Sequence, residues 1–355
     1  MFKVVSTWYE RQFSDPEACI LLLAIVLSAL VLYFFGAILA PLIASVIFAY
    51  LLDTVVVALS KYTKLPRILS LAIVFLVFLG AFISAFVWLL PLLSKQIAQL
   101  ASELPNLMAK LQNVIRNQQQ LHPEFLSKHM ADEFISYTSV SQDKIAHLGG
   151  AIFNFSLKTI SSVITVAVYL VLVPFLVFFF LKDKDLMLVC FHKMLPSSNR
   201  GLLDHVGNEM ENQVGNYVKG KAIEILIVGL ASYVVFAYFG LHYASLLAVF
   251  VGFSVLIPYV GMVVVTVPVV LIGLGQFGLG NTFWLLILGY SIVQAVDGNI
   301  LVPLIYSETV NIHPAAIIAA VVIFGGLWGF WGLFFAIPLA TLVKAVFGAW
   351  YKHGA

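Results

Sequence analysis

A small polar group interrupts the otherwise apolar stretch at residues 283–303. Ser291, Gln294 and Asp297 are spaced by three residues, which places them on one face if the stretch is helical, and Asn299 follows. If the stretch crosses a membrane, a carboxylate there costs about 2.5–3.5 kcal/mol on insertion scales, so this face should avoid lipid. The four side chains are therefore candidates to bind a polar solute, a monovalent cation or a proton. The alternative is that Asp297, near one end of the stretch, only caps or pairs structurally.

Two neighbouring apolar runs, 244–273 and 315–347, are too long for one straight crossing and contain helix breakers. The first is divided by Pro258, Tyr259 and Gly261. The second carries a group of glycines: Gly325, Gly326, Gly329 and Gly332. A break frees backbone polar groups, which membranes tolerate only where protein or a water-filled cavity satisfies them, as at transporter substrate sites. The alternatives are a simple kink or close packing of helices through small residues.

The composition places these runs in a membrane. Of the 355 residues, 62% are hydrophobic and only 10% are charged, whereas soluble domains carry about 45–50% and about 25%. This excludes a soluble enzyme, a disordered chain and, with a net charge of +2, a nucleic-acid binder. The two cysteines are far apart, and neither a nucleotide-binding lysine loop nor a metalloprotease motif is present. We expect an all-α, polytopic integral membrane protein that is not an enzyme and holds no metal or cofactor.

Counting apolar runs of about 20 residues predicts about eight transmembrane helices, with broken or re-entrant segments in the C-terminal half. The run at 20–52 is too long for one crossing and contains Gly36 and Pro41, so we interpret it as a tight helical hairpin. With that hairpin, most short-loop lysines and arginines fall on one side. The positive-inside bias then predicts that both termini are cytoplasmic. Glu224 is assigned to the cytoplasmic start of its helix, outside the candidate site.

Two segments are more polar. Between 94 and 158, leucines repeat every three or four residues, which predicts a periplasmic helical insert broken near Pro105 that forms a cap, an oligomer contact or a substrate gate. Residues 185–221 are typical of an amphipathic helix at the cytoplasmic surface. The chain thus divides into 1–93 with a cytoplasmic lead-in and three spans, 94–158, then 159–221 with the fourth span, and the transport region 222–355.

Several motifs resemble those of the autoinducer-two exporter family of bacterial membrane proteins. They share the order and spacing of that family from the lead-in to the C-terminus, and include Pro174-Phe175, Tyr217-x-x-Gly220-Lys221, Ile257-Pro258-Tyr259-Val260-Gly261, Gln294-x-x-Asp297-Gly298-Asn299, His313-Pro314 and Ala336-Ile337-Pro338. The resemblance implies a bacterial inner-membrane secondary transporter, assembled as a homo-oligomer, a pentamer in this family. Some members are associated with export of autoinducer-two, and others look like sodium/proton antiporters.

These observations favour a permease that exports a small polar solute by alternating access. Asp297 and Gln294 would bind the cation or solute, Pro258 and Gly261 would shape a broken-helix site, and the glycines would let moving helices approach. A sodium or lithium/proton antiporter is one alternative, since it needs a carboxylate that changes protonation. A non-transporting oligomeric scaffold is another, and it predicts that no cavity reaches Asp297.

Overall fold

The computed structural model describes residues 16–121, 163–194, 200–258, 260–306, 313–341 and 343. Every element assigned in these ranges is a helix. In chain order the helices are α1 (Pro16–Thr63), α2 (Arg67–Ser84), α3 (Leu90–Leu121), α4 (Val163–Lys182), α5 (Lys184–Met194), α6 (Arg200–Tyr238), α7 (Ala244–Ser254), α8 (Val260–Phe277), α9 (Asn281–Val296), α10 (Val302–Tyr306) and α11 (Pro314–Phe334). Single π-helical turns at Ala85–Leu89 and Asp297–Leu301 follow α2 and α9.

Six helical stretches of the described chain are long and apolar enough to cross a membrane, and two shorter apolar helices accompany them. The six stretches are Ile38–Thr63, Arg67–Gln120, Val214–Tyr238, Val260–Phe277, Asn281–Ile305 and Ala315–Phe334. The shorter ones are Ala167–Lys182 and Ala244–Ser254. The expectation of an all-helical, polytopic membrane protein is confirmed.

The predicted N-terminal hairpin is wrong. α1 runs without a turn through Gly36 and Pro41 for 48 residues, about 72 Å at 1.5 Å per residue. Pro41 is buried against protein. Proline within a helix costs roughly 3 kcal/mol through its lost backbone donor, which is small enough for such packing to offset. Residues 16–93 therefore contain two helical segments, not three spans. The prediction that both termini are cytoplasmic assumed the hairpin, and it stays a prediction.

Two other sequence-based boundaries are also wrong. α3 continues through Pro105 because its apolar stripe packs on a protein core on both sides of that proline, through Leu100 and Leu107. Such packing supplies most of the stability of a helix in a protein. The amphipathic segment before 221 is not a separate surface helix, since its residues from Arg200 onward belong to the 39-residue helix α6. Most of the predicted periplasmic insert, 122–158, lies outside the described residues.

The chain divides into two compact units. The first consists of Met1–Val77, Val171–Gly220 and Tyr306–Ala355. Within it, charged side chains from three helices form ion pairs: Asp53 with Lys184 at 2.8 Å and with Arg67 at 3.5 Å, and Arg67 with Asp185 at 2.6 Å. The Tyr217 hydroxyl donates to the Phe334 carbonyl at 2.9 Å and so ties α6 to α11.

The second unit, Phe78–Leu170 and Lys221–Ile305, has a buried apolar core that includes Val228, Phe236, Leu247, Val269 and Leu286. Helix α3 is fastened to this core by polar contacts as well as by its leucines. Gln96 Oε1 accepts from the Leu246 amide at 2.9 Å, near the start of α7, and Glu103 Oε2 accepts from the Tyr243 hydroxyl at 2.7 Å. Because these donors belong to the connection that precedes α7 and to its first turn, α3 fixes where the broken α7–α8 pair begins.

Candidate polar pathway site

The second unit contains a buried ion pair on α6. Lys221 Nζ donates to the two carboxylate oxygens of Glu224 at 3.1 and 2.9 Å, and only 5% and 2% of these side chains are exposed. The residues are separated by three positions and therefore share a helix face. Removing charges from water is costly, and a buried pair persists only where further hydrogen bonds satisfy its polar atoms. The Lys221 ammonium has such a bond, because it also donates to the Val255 carbonyl at 2.8 Å.

That carbonyl is available because the helix breaks there. α7 ends at Ser254 and α8 begins at Val260, with Pro258 in the connection. Pro258 has no amide hydrogen and disfavours the helical conformation of the residue before it. The two arms then approach so closely that a Cβ atom on Gly261 would overlap the Ser254 carbonyl oxygen. Glycine at this position is what permits the approach.

The polar residues of α9 lie in the same unit. Asp297 is half-buried and within electrostatic range of both Glu224 and Lys221. Its Oδ1 and the Nε2 of Gln294 are buried atoms that have no hydrogen-bond partner in the described part of the chain. One turn earlier, the Tyr290 hydroxyl is 2.9 Å from Thr266 Oγ1 on α8 and lies close to Gln294. We call Lys221, Glu224, Gln294 and Asp297 the polar cluster.

The predicted polar face of α9 is only partly assembled. Gln294 and Asp297 belong to the polar cluster, whereas Ser291 and Asn299 are exposed. Asn299 Nδ2 donates to the Ala295 carbonyl at 2.9 Å on its own helix. Asp297 begins the π-helical turn, in which hydrogen bonds span five residues. Residues after 297 are therefore rotated away from the face that an α-helical spacing predicts.

The structure places the remaining predicted residues at helix breaks. Pro258 is half-buried in the α7–α8 connection, near the Val255 carbonyl that contacts Lys221, and Tyr259 lies outside the described residues.

The four glycines belong to α11, in the first unit, where they serve different purposes. Gly329 has φ +57° and ψ −131°, a conformation that glycine adopts readily and other residues rarely do.

At Gly329 helix α11 folds back on itself. A Cβ atom on Gly332 would overlap the Phe324 carbonyl oxygen, and one on Gly325 would lie 2.5 Å from Leu333 Cδ2. Residues eight apart in a straight helix are separated by about 12 Å, so this contact requires a reversal. A Cβ atom on Gly326 would have open space. Gly325 and Gly332 are thus the small residues at the contact between the two arms, and Gly329 makes the turn.

Sequence reasoning missed Lys221 and Glu224 as site residues. Their location suggested the cytoplasmic start of a span, where charges are usually solvated. The signal that marks them is opposite charge at positions i and i+3 at the start of an apolar run. Only the tertiary structure adds that Lys221 reaches the broken end of α7 and that Asp297 is nearby.

The polar cluster has the groups that bind a cation, a proton or a small polar molecule. Carboxylates inside a membrane segment are sites for cations and protons. The Nε2 atom of Gln294 is a donor and the Oδ1 atom of Asp297 is an acceptor, so together they could satisfy a solute that carries both kinds of group. Buried polar atoms without a partner are rare in folded proteins and require a reason.

The chain as a whole is similar to known bacterial membrane proteins. The family model described as "AI-2E family transporter" matches residues 22–352. PerM of Escherichia coli (strain K12), whose name proposes a permease, is 44% identical over 350 residues, covering 99% of this chain and 98% of PerM. YueF of Bacillus subtilis (strain 168), whose name proposes a transport protein, is 29% identical over 319 residues, covering 88% of this chain and 84% of YueF.

Proposed function

The chain belongs to the AI-2E transporter family, and from that premise we propose that it is a secondary transporter that exports a small polar solute, such as autoinducer-two, by alternating access. The family and the apolar helices identify a multi-pass transport protein of the bacterial inner membrane. The solute, the alternating-access mechanism and the binding residues are what we propose.

The observation that carries this proposal is the pair of buried, unpartnered atoms, Gln294 Nε2 and Asp297 Oδ1, beside a buried lysine–carboxylate pair. Leaving such atoms unsatisfied costs about 1–3 kcal/mol each, so a fold that retains them gains something in another state. A bound solute or cation supplies the missing partners. Ser291 and Asn299, which are exposed, would belong to the route by which it enters or leaves.

The helix break gives the site a way to change. Lys221 holds the Val255 carbonyl at the end of α7 as well as Glu224. In our proposal, a proton or cation on Asp297 changes the electric field at Lys221 and so alters the contact of Lys221 with the end of α7. This lets α7 and α8 rearrange around Pro258 and Gly261. Gly325, Gly326, Gly329 and Gly332 would allow α11 to move. We also propose that the chain assembles as a homo-oligomer, a pentamer as the family resemblance implies. Cross-linking in native membranes tests this assembly.

The test is solute flux in proteoliposomes that contain the full chain, with a panel of candidate solutes, with and without sodium and proton gradients. We expect Asp297→Asn and Gln294→Ala to abolish transport while membrane insertion persists. Glu103→Gln is the matched control, because this carboxyl lies in the same unit but is bonded to Tyr243 and should transport normally. Normal flux in both variants would show that Asp297 and Gln294 are not the binding site.

Two other outcomes are distinguishable in the same vesicles. If a pH-sensitive dye responds to added sodium or lithium and no solute flux is seen, the function is ion/proton exchange at the same carboxylate and not solute export. The wild-type chain giving no flux of any solute or ion would favour a non-transporting oligomeric scaffold and would overturn the proposal.

A further inference from the structure

An apolar groove of about 300 Å³ lies within the first unit, between α1 and α6. This volume is at the lower end of the range typical of small-molecule sites. Its lining is Leu42, Ile43, Val46, Ile47 and Tyr50 from α1, Val214, Gly215 and Val218 from α6, and Phe335 after α11. A groove with so few polar partners does not hold ordered water well, so an apolar occupant is expected.

The groove has a charged end. From Leu42 to Tyr50 it follows α1 for about 12 Å at 1.5 Å per residue. At Tyr50, the ammonium group of Lys219 lies 4.7 Å from the centre of the aromatic ring. One turn further along α1, Asp53 pairs with Lys184 at 2.8 Å. The wall therefore changes from hydrocarbon-like to charged over a short distance.

The groove lies along apolar helical stretches that are long enough to cross a membrane. Its α1 wall lies within Ile38–Thr63 and its α6 wall within Val214–Tyr238. The apolar stem of a lysine can lie along such a surface while its ammonium group extends toward charged or solvated groups. The charged end at Lys219 is therefore where a lipid chain in the groove would meet its headgroup.

We propose that this groove binds one acyl chain of an anionic phospholipid, with the lipid phosphate at Lys219. Phospholipid is the abundant apolar molecule at the surface of a membrane protein, and its chain fits the lining. The positive charge at one end selects an anionic headgroup over a zwitterionic one. This site does not depend on the proposed transport function.

The experiment titrates phosphatidylglycerol or phosphatidylcholine of identical acyl chains into the delipidated full-length protein in detergent, and native mass spectrometry counts the bound lipids. Lys219→Gln should weaken binding of phosphatidylglycerol about fivefold, the value of one lysine near an anionic lipid surface, and should remove the preference for it. Ile47→Trp, which fills the groove, should weaken binding of both lipids at least tenfold. Lys182→Gln, an exposed lysine of the same unit, is the control and should bind as wild type.

Three results would overturn the proposal. If Lys219→Gln and Lys182→Gln show the same lipid preference, the headgroup contact at Lys219 is excluded. If Ile47→Trp binds lipid like the wild type, the groove is excluded as the binding site. A changed oligomeric mass for Ile47→Trp with unchanged lipid binding would identify the groove as a contact between copies of the chain. If Ile47→Trp does not fold, Val46→Trp tests the same groove from its rim, since Val46 is 48% exposed.

Discussion

The buried ion pair on α6 gives the sharpest prediction. Lys221→Met removes an ammonium group that makes three contacts, at 3.1 and 2.9 Å to Glu224 and at 2.8 Å to the Val255 carbonyl. Glu224 is 2% exposed, so its carboxylate would be left uncompensated in the interior. Breaking a buried pair in this way costs about 3–5 kcal/mol. We expect the free energy of unfolding to fall by that amount.

The double variant Lys221→Met/Glu224→Leu should be more stable than the single one. Apolar residues of similar size can replace a buried pair at little cost. The remaining loss of stability comes from the Val255 carbonyl, which no longer has its donor, and is about 1–3 kcal/mol. Denaturant unfolding in detergent micelles, followed by circular dichroism, measures both. The control is Lys184→Met, because Lys184 is 34% exposed in its pair with Asp53 and such pairs contribute about 0–1 kcal/mol. A double variant less stable than Lys221→Met would refute the reasoning.

Two further predictions concern helix contacts. Gly332→Ala should lower stability by about 1–3 kcal/mol because its methyl group would meet a backbone carbonyl of the other arm of α11, whereas Gly326→Ala has open space and should melt like the wild type. Burial, and then the hydrogen bond to Glu103, raises the pKa of Tyr243. The folded state therefore holds this proton more tightly, so the contribution is present below about pH 10 and is lost as the pH rises further. Tyr243→Phe should flatten the loss of stability above about pH 10, while Tyr238→Phe, at an 82% exposed position, should not; identical pH profiles for the two variants would contradict this account.

Several parts of the fold could be predicted from local sequence. Long apolar runs with few charges require backbone groups to be satisfied within the segment, so they dictate membrane helices whatever their neighbours do. The break at Pro258 follows from the missing amide hydrogen, and the interruption at Gly329 from a conformation suited to glycine. The polar character of Gln294 and Asp297 within an apolar stretch was equally visible.

Other parts depended on packing. Pro41 and Pro105 have the same chemistry as Pro258, yet they lie inside continuous helices. Burial of Pro41 and the core contacts of Leu100 and Leu107 hold those helices together. The cost of one proline, roughly 3 kcal/mol, is small enough for tertiary contacts to offset it. A sequence signal of that size cannot distinguish a helix end from a tolerated proline.

The amino-acid sequence by itself determined that this chain is a helical membrane protein of the AI-2E transporter family. It also predicted that the Asp297 carboxylate avoids lipid. Only the tertiary structure decided which groups meet that residue. It brought Lys221, Glu224 and the carbonyl at the broken end of α7 into one cluster. The physical reason is that apolarity and backbone hydrogen bonding act over a few residues, whereas the partner of a buried charge is fixed by how distant segments pack.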